Sequence, residues 1–280
     1  MYGSVYIEND PFSPIVYVYK VSEILYCKKS SYQEIMILNS TYFGKMLVLD
    51  GVVQLTEKDE FFYHEMLAHV ALHAHTNPKT VLIIGGGDGG TLREVLKHKL
   101  VEKVQLVEID KQVIEVSKYF FPELTIGFSD QRVELIEMDG VSYIKQAKCE
   151  YDAVIVDSTD PVGSAKDLFA EQFFGGIRNI LNSEGIFVTQ TESLHFHRQF
   201  VMDTQIKLRG LFEIIGLYSV PIATYAGNWW TFSIASKKYP VKKPNRNQEV
   251  ITKYYDKQVH EGAFLTDSLY EKLLNNTLDW

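Results

Sequence analysis

The first 56 residues alternate between short apolar runs and polar breaks, a pattern typical of β-strands. The apolar runs are 15–21, 32–38, 46–49 and 52–55. The last two flank Asp50–Gly51, which predicts a two-residue hairpin because Gly accepts positive φ. We therefore predict a small antiparallel β-domain over residues 1–56.

A helix is predicted directly after this β-domain. Apolar residues repeat at helical spacing at Tyr63, Met66, Leu67, Val70 and Ala74. Thr56 is expected to cap the helix, and Asn77–Pro78 to end it. Negative charge in a first turn is favoured by the helix dipole, and the residues that would supply it are Glu57, Asp59 and Glu60.

From residue 80 onward, apolar runs alternate with helical patterns. The runs begin near Val81, Val104, Val133, Ala153 and Ile186. Strands that alternate with helices predict βαβ units and a parallel sheet. Two late segments, 212–220 and 229–235, are expected to close that sheet as an antiparallel pair. The basic stretch 237–246 is predicted to be a solvated linker.

Composition and charge limit the classes of partner. The two cysteines, Cys27 and Cys149, are far apart, which fits a reducing compartment and makes the cytoplasm the expected location. The N-terminus has no readable secretory signal, and no apolar run approaches the roughly 20 residues of a membrane span. The net charge of −8 argues against nucleic acid and suits a cationic ligand.

A glycine-rich loop follows the first strand of the second pattern. The run GGGDGG at 85–90 contains a GxGxxG match at Gly85, Gly87 and Gly90, between a predicted strand and a predicted helix. The next strand ends in Glu108, where a carboxylate can accept the hydroxyls of an adenosine ribose. The spacing leaves a dinucleotide and a nucleoside thioether, such as S-adenosylmethionine, as candidate ligands.

Two acidic residues favour the nucleoside. Asp88 lies inside the loop, where its carboxylate would repel a pyrophosphate, and no Lys or Arg of the loop would bind phosphate. Asp139 follows the third strand, where it can accept a hydrogen bond from an adenine amino group. We therefore expect a nucleoside rather than a dinucleotide.

Further carboxylates follow the fourth strand, at Asp157 and Asp160. Because ligands bind at the carboxyl ends of parallel strands, Asp88, Asp157 and Asp160 are expected to share one edge, without Lys or Arg partners. A polyamine, another organic cation or a divalent metal would explain them. The histidine pairs His69/His73 and His195/His197 have spacings seen in metal sites, but core or surface histidines are favoured.

These motifs together resemble the spermidine synthase (polyamine aminopropyltransferase) family. The matching segments are GGGDGG at 85–90, VEID at 107–110, Asp139–Gly140, DSTDP at 157–161 and LTEKDEF at 55–61. The resemblance implies an α/β fold: a Rossmann-like, S-adenosylmethionine-methyltransferase-like, mostly parallel sheet with helices on both faces over residues 57–280. It also implies a homodimer or homotetramer.

The implied reaction moves the aminopropyl group of decarboxylated S-adenosylmethionine to putrescine, giving spermidine and methylthioadenosine without a metal or other cofactor. The same chemistry on agmatine, cadaverine or spermidine, and N-methylation of putrescine, remain open. A free Asp titrates near 3.9 and an alkylammonium near 10.4, so a catalytic Asp is a weak base unless desolvation assists it.

The resemblance also implies roles for single residues. Asp157 corresponds to the catalytic base and Asp88 to the carboxylate that holds the donor's amine. The acceptor contacts are Asp160, His64, Tyr63, Gln190 and Tyr225, and the nucleoside contacts are Gln33, Gly85, Gly87, Glu108, Asp139 and Gly140. Glu8 and Gln54 match more loosely. Two segments depart from the family pattern, 163–165 and 221–227, and the second makes the acceptor's length the open property.

Overall fold

The computed structural model describes residues 4–10, 14–148, 150–161, 163–246 and 249–278, with side chains 163 and 164 left out. Cys149 therefore lies outside the described residues, and of the segment 163–165, which departs from the family pattern, only the side chain of Ala165 is described. Cys27 is an exposed free thiol. The predicted domain boundary between residues 56 and 57 stays a prediction.

The N-terminal part folds into a five-stranded antiparallel sheet in which each strand pairs with the next. The strands are β1 (Ser4–Asn9), β2 (Val16–Lys29), β3 (Glu34–Ser40), β4 (Gly44–Leu49) and β5 (Val52–Thr56). The predicted hairpin is present, since Asp50 and Gly51 both have positive φ, 46° and 89°. Strand β1 was not predicted. It is held in the sheet by its pairing with β2, a contact that the local sequence pattern does not show.

The second sheet has the order β11-β12-β10-β9-β6-β7-β8. Its strands are β6 (Thr80–Gly85), β7 (Lys103–Glu108), β8 (Val133–Glu137), β9 (Tyr151–Asp157), β10 (Leu181–Ser193), β11 (Ile214–Val220) and β12 (Trp230–Ser236). Strands β8, β7, β6, β9 and β10 are mutually parallel, and β12 runs antiparallel to β10 and to β11. From β6 the chain adds β7 and β8 on one side of the sheet, and then β9 and β10 on the other side. The switch point lies between β6 and β9, and open α/β sheets bind their ligands at such points.

Helices separate the strands. They are α1 (Glu60–Ala74), α2 (Gly90–Leu96), α3 (Lys111–Phe120), α4 (Gly140–Gln146), α5 (Glu171–Ile180), α6 (Arg198–Leu211), α7 (Lys257–Ala263) and α8 (Asp267–Leu274). Short 3₁₀ turns occupy Thr125–Ser129, Gly163–Phe169 and Ala226–Asn228. Among the residues described, none of these helices has both the length and the apolar character to cross a bilayer.

Helices cover both faces of the parallel sheet. Along β6, Val81 and Ile83 pack in the apolar cluster of α1 and α2. Their neighbours Leu82 and Ile84 point the other way, into the cluster of α4, α5 and α6. A strand buried on both faces must be apolar throughout, which is why this run reads as continuous rather than alternating. The predicted fold class is confirmed.

The predicted cap of α1 is wrong. The helix begins at Glu60 after Asp59, and Thr56 lies outside it, donating to Asp59 Oδ1 at 2.6 Å. Asp59 does not cap the helix with its side chain either, because its other oxygen accepts from the backbone and hydroxyl of Thr224 at 3.2 and 2.8 Å. Contacts to Thr56 and Thr224 therefore occupy both oxygens of the residue that directly precedes the helix.

The stretch 237–246 is not a solvated linker. Tyr239 and Val241 are buried, and Asn245 donates to the carbonyl oxygens of His73 and Ala74. The segment therefore binds carbonyl groups that the last turn of α1 leaves without helical partners. The lysines of this segment favoured exposure to solvent, but Tyr239 and Val241, which lie between them in the sequence, are buried and hold the segment against the protein.

Candidate active site

A cavity of about 780 Å³ opens at the carboxyl ends of the parallel strands, between the two sheets. The side chains and glycines that the sequence assigned to a site all line it. They are Gln33, Tyr63, His64, Gly85, Gly87, Asp88, Glu108, Asp139, Gly140, Asp157, Asp160, Gln190 and Tyr225. The structure thus brings together residues that are separated by up to 192 positions in the sequence.

The glycine loop lies directly against the end of β9. Gly85 has a φ of +80°, and a Cβ there would lie 2.0 Å from the carbonyl oxygen of Asp157. The backbone N–H of Gly86 donates to that same oxygen at 2.9 Å. Only glycine permits this approach, which brings the loop residue Asp88 close to Asp157.

Glu108 occupies one end of the cavity. Its carboxylate accepts from the backbone N–H groups of Gly87 at 3.2 Å and Asp110 at 2.8 Å, which orients it below the glycine loop. Burial raises the pKa of Glu108 to about 7. A carboxylate held by two backbone donors is suited to accept the paired hydroxyls of a ribose.

Two further predicted nucleoside contacts border the same end. Asp139 caps α4 by accepting from the N–H of Ser142 at 2.8 Å. Gln33 comes from the N-terminal sheet, and its amide donates to Asp110 Oδ2 at 3.0 Å. The two sheets therefore close this end of the cavity from opposite sides.

Asp157 lies near the middle of the cavity and is 9% exposed. The Tyr63 hydroxyl donates to its Oδ1 at 2.9 Å, whereas the buried Oδ2 has no hydrogen-bond partner in the described part of the chain. Burial, reinforced by the charge of Asp88, raises the pKa of Asp157 to about 6. Tyr63 therefore orients one carboxylate oxygen, and the other is buried without a hydrogen bond from the described residues.

The expectation that Asp88 lacks a partner is wrong. His64 Nε2 lies 3.3 Å from Asp88 Oδ1, and His64 Nδ1 lies 2.7 Å from Glu60 Oε2. Burial by itself would lower the pKa of His64, but Asp88 and Glu60 outweigh it and raise the pKa to about 10. The cation that faces Asp88 is therefore a histidine rather than a lysine or an arginine.

This arrangement changes the expected place of His64. Both ring nitrogens have carboxylate partners, so a direct hydrogen bond to an amine acceptor would have to displace Asp88 or Glu60. His64 borders the donor carboxylate, and its predicted contact with the acceptor stays a prediction.

The opposite end of the cavity is more acidic than predicted. Asp160 lies beside Glu192, which the sequence analysis missed. Burial raises the pKa of Asp160 to about 6, while burial and Asp160 together raise the pKa of Glu192 well above its usual value. Glu192 follows the strand predicted near Ile186, so the rule that acids after parallel strands meet at one edge could have found it.

Glu8 completes this acidic end. Its Oε1 accepts from the N–H of Val53 at 3.0 Å, and Oε2 is buried with no partner in the described residues. Burial raises the pKa of Glu8 to about 7, with Asp160 contributing. Gln190 orients the carboxyl end of β10, since its amide oxygen accepts from the N–H of Glu192 at 2.9 Å.

Aromatic rings form the wall between the middle and the acidic end. The Tyr225 ring lies 5.9 Å from that of Tyr63 and 4.7 Å from that of Trp230, measured between centroids. Its hydroxyl donates to the carbonyl of Gln54, which links the loop to the N-terminal sheet. The contact between Thr224 and Asp59 holds the same loop on α1.

The two histidine pairs with metal-site spacing lie in different places, since His197 lines the cavity whereas His69 and His73 do not. His69 and His73 join His98 in a buried cluster whose nitrogens lie within 4.8 Å of one another. His69 Nδ1 is 2.8 Å from His98 Nε2, His69 Nε2 is 3.0 Å from Glu94, and His98 Nδ1 is 2.6 Å from Arg246. Hydrogen bonds within the protein therefore engage both nitrogens of His69 and of His98.

The sequence matches two family models. A model of the spermine/spermidine synthase domain covers residues 60–245, and a model of the spermidine synthase tetramerisation domain covers residues 4–57. The first match alone includes more than half of the chain.

Individual relatives match over nearly their whole length. Polyamine aminopropyltransferase 1 of Aquifex aeolicus (strain VF5) is 57% identical over 97% of each chain. Polyamine aminopropyltransferase of Hydrogenobaculum sp. (strain Y04AAS1) is 51% identical over 98% of each.

Solved structures agree in fold. A crystal structure of spermidine synthase in complex with the transition state analogue AdoDATO has a TM-score of 0.92 and 36% identity, covering 99% of this chain and 96% of that one. Spermidine synthase from Thermotoga maritima has a TM-score of 0.90 at 36% identity, with the same coverage. The chain belongs to the spermidine synthase family, and it is an enzyme, a polyamine aminopropyltransferase.

Proposed function

We propose that the protein transfers the aminopropyl group of decarboxylated S-adenosylmethionine to putrescine, giving spermidine and methylthioadenosine. The observation that carries this proposal is the position of Asp157. It has one unpartnered oxygen and lies between the carboxylate of Asp88 and an acidic, aromatic-walled end of one cavity. A doubly cationic donor and a cationic acceptor fit such a cleft.

In the proposed reaction, Glu108 and Asp139 bind the nucleoside and Asp88 binds the ammonium of the donor's aminopropyl group. The acceptor's uncharged nitrogen attacks the methylene carbon next to the sulfonium. A C–N bond forms, the C–S bond breaks with its electron pair moving to sulfur, and the surplus proton passes from the nitrogen to Asp157. Alignment of the two substrates supplies much of the rate, because the sulfonium is already a good leaving group.

The environment of Asp157 makes it a stronger base than a free aspartate. Its pKa, raised to about 6 by burial and Asp88, is closer to that of the amine than the usual value near 3.9. Enclosure by Tyr63 and Tyr225 disfavours the charged form of the attacking amine and so lowers the pKa of the amine. The difference between the pKa values of the amine and Asp157 becomes smaller as a result. The acidic end then binds the acceptor's second ammonium.

The identity of the acceptor is tested by competition. Purified protein is incubated with decarboxylated S-adenosylmethionine whose aminopropyl group is labelled with ¹³C, together with an equimolar mixture of putrescine, cadaverine, agmatine and spermidine, and the labelled products are identified by mass. We expect aminopropylated putrescine to predominate. Equal use of all the amines would reject the putrescine assignment, and methylated putrescine would identify an N-methyltransferase. The Asp157→Asn variant serves as the background control.

We also propose that the reaction needs no metal or other cofactor. The site where a metal would be sought first is the cluster of His69, His73 and His98, but hydrogen bonds already engage His69 and His98. Turnover after dialysis against a chelator should equal that of the untreated protein. Loss of turnover that added metal restores would reject this part of the proposal.

The assembly is proposed to be a homotetramer or homodimer formed through the N-terminal sheet. Val5, Ile7, Val16 and Val18 each expose more than half of their surface on the paired strands β1 and β2. A contiguous apolar face of this kind favours contact with another subunit. Light scattering on Ile7→Asp/Val18→Asp should show smaller particles than the parent protein. The cytoplasm is the proposed compartment, in keeping with the free thiol of Cys27.

A further inference from the structure

Three ionisable side chains meet beside the glycine loop. One ligand atom from each of His64, Asp88 and Asp157 lies within 4.8 Å of the others. His64 is 2% exposed and Asp157 9% exposed, and the Asp88 side chain is 16% exposed. Two carboxylates so close together in a buried site cannot both stay ionised unless a cation faces them. The charge of His64 therefore decides the protonation state of the pair.

The contacts of His64 favour a proton on each ring nitrogen, with a hydrogen bond at Nδ1 and an ion-pair contact at Nε2. A neutral imidazole has a single N–H, so it can donate at only one nitrogen. Here Nε2 faces Asp88 at 3.3 Å and Nδ1 faces Glu60 at 2.7 Å. An ionised carboxylate accepts but does not donate, so both contacts are favourable only for the imidazolium. The raised pKa of His64 agrees with this geometric argument.

Glu60 is itself held by a guanidinium. Arg93 Nη1 donates to Glu60 Oε1 at 3.1 Å and Arg93 Nη2 donates to Glu60 Oε2 at 2.9 Å. This two-point contact fixes the plane of the carboxylate. The side chains of His64 and Arg93 outweigh burial and lower the pKa of Glu60, so it remains ionised.

Arg93 has an anchor on its far side. Its Nε donates to Glu94 Oε1 at 2.7 Å, and Glu94 Oε2 contacts Lys97 at 2.5 Å and His69 at 3.0 Å. The His69 contact continues into the buried histidine cluster. The chain of contacts thus begins in the protein interior and ends at Asp88 in the cleft.

We propose that Glu60, held by Arg93, is a positioning residue that keeps His64 charged between Asp88 and Asp157, so that both carboxylates are ionised before substrates bind. The inference rests on the proposed function only in treating Asp157 as the base. Without the charge on Glu60, His64 would lose its proton, and Asp88 and Asp157 would take up one between them. Asp157 could then accept a proton from the amine only at higher pH.

Every titratable or charged group that faces His64 affects its protonation. They are Glu60 and Tyr63 from α1, Asp88 from the glycine loop, Asp157 from the end of β9, and Arg93 from α2 through Glu60. Among these, the charge of Glu60 can be removed without altering a residue that lines the cavity. Glu60→Gln is therefore the informative variant.

The first measurement is the protonation of His64. Protein labelled with ¹⁵N-histidine is titrated by NMR, and the His64 signals are assigned by their absence from a His64→Gln sample. In the parent protein we expect His64 to remain an imidazolium at pH 8, and in Glu60→Gln to be neutral there. A neutral His64 in the parent protein at pH 8 would overturn the proposal without any variant, and without reference to turnover.

The second measurement is the pH dependence of kcat/KM. In Glu60→Gln the acidic limb should move up by about one pH unit, which lowers kcat/KM about fivefold at pH 6 and leaves it nearly restored at pH 9. Glu65→Gln is the matched control. Glu65 is also a buried carboxylate of α1, but it accepts from the N–H groups of Lys253, Tyr254 and Tyr255 at 2.7–2.8 Å. In Glu65→Gln the acidic limb of the kcat/KM profile should therefore stay where it is in the parent protein.

A loss of kcat/KM in Glu60→Gln that is equal at every pH would assign Glu60 a structural role and overturn the proposal. A His64 that stays protonated in that variant would do the same. If Glu60→Gln does not fold, the titration of the parent protein decides. Failure of the proposed reaction is a separate result, since the NMR titration of His64 needs no substrate.

Discussion

The imidazole of His64 lies against the α-carbon of Gly90, the last glycine of the GGGDGG loop. A Cβ at Gly90 would lie 2.2 Å from His64 Cε1 and less than 2.6 Å from both ring nitrogens. The ring cannot retreat easily, because Glu60 and Asp88 hold it from two sides. The third glycine of the GxGxxG pattern therefore makes room for a histidine of α1, a role that the motif alone does not reveal.

Gly90→Ala should accordingly destabilise the protein. Overpacking of a rigid contact costs about 1–3 kcal/mol, which should appear as a lower free energy of unfolding in urea together with lower turnover. Gly175→Ala is the control, because Gly175 lies inside α5 with nothing within 4 Å of its added Cβ. That variant should be stabilised by up to about 1 kcal/mol. Equal stabilities of the two variants would contradict the packing argument.

Asp157→Asn tests the proposed base. The amide keeps the size of the side chain but cannot accept the amine's proton, so kcat should fall by about 100-fold or more. Nucleoside binding should remain nearly intact, because Glu108 binds at one end of the cavity and Asp157 lies near its middle. Steady-state turnover and calorimetry with methylthioadenosine measure the two effects. Near-normal turnover would remove Asp157 from the mechanism.

Asp88→Asn tests the choice of donor. The carboxylate of intact S-adenosylmethionine would face Asp88, and like charges at close range disfavour binding. We expect the preference for the decarboxylated donor, as a ratio of kcat/KM values, to fall by about tenfold. The charge on His64 offsets part of the repulsion, so the effect should be smaller than for an isolated carboxylate. An unchanged ratio would show that Asp88 does not exclude the intact donor.

Glu108 should make nucleoside binding depend on pH. Its pKa is raised to about 7, so its carboxylate gains a proton as the pH falls through 7 and accepts ligand hydroxyls less well. Methylthioadenosine should therefore bind more tightly at pH 8 than at pH 6. In Glu108→Gln this dependence should vanish, with about tenfold weaker binding at pH 8. Glu134→Gln, at an exposed side chain of β8, should match the parent protein. A pH-independent parent would contradict the assignment.

Much of the site could be predicted because its determinants are local in sequence. The glycine loop follows β6, Glu108 and Asp157 end β7 and β9, and Asp139 follows the edge strand β8. The carboxyl ends of parallel strands share one edge, so residues placed by local pattern in four separate segments had to converge. The same rule, applied to the strand that ends near Glu192, would have extended the acidic end.

Other features depended on long-range contacts that no local pattern encodes. Thr56 is a residue type that commonly caps helices, but in the structure its hydroxyl donates to Asp59. The other oxygen of Asp59 accepts from Thr224, which is 165 residues away in the sequence. The charge of segment 237–246 favoured a solvated linker, but the buried side chains of Tyr239 and Val241 and the hydrogen bonds of Asn245 to the end of α1 hold it in place.

By itself, the sequence determined the order of strands and helices, the nucleoside-type loop and an edge rich in carboxylates, because periodicity, glycine and strand ends act over a few residues. Only the tertiary structure decided the charges on that edge. Whether His64 carries a proton, and whether Asp157 holds one, depends on burial and on the spacing of Glu60, Asp88 and Arg93. Electrostatic energy varies with distance and surrounding dielectric, and both exist only once the chain has folded.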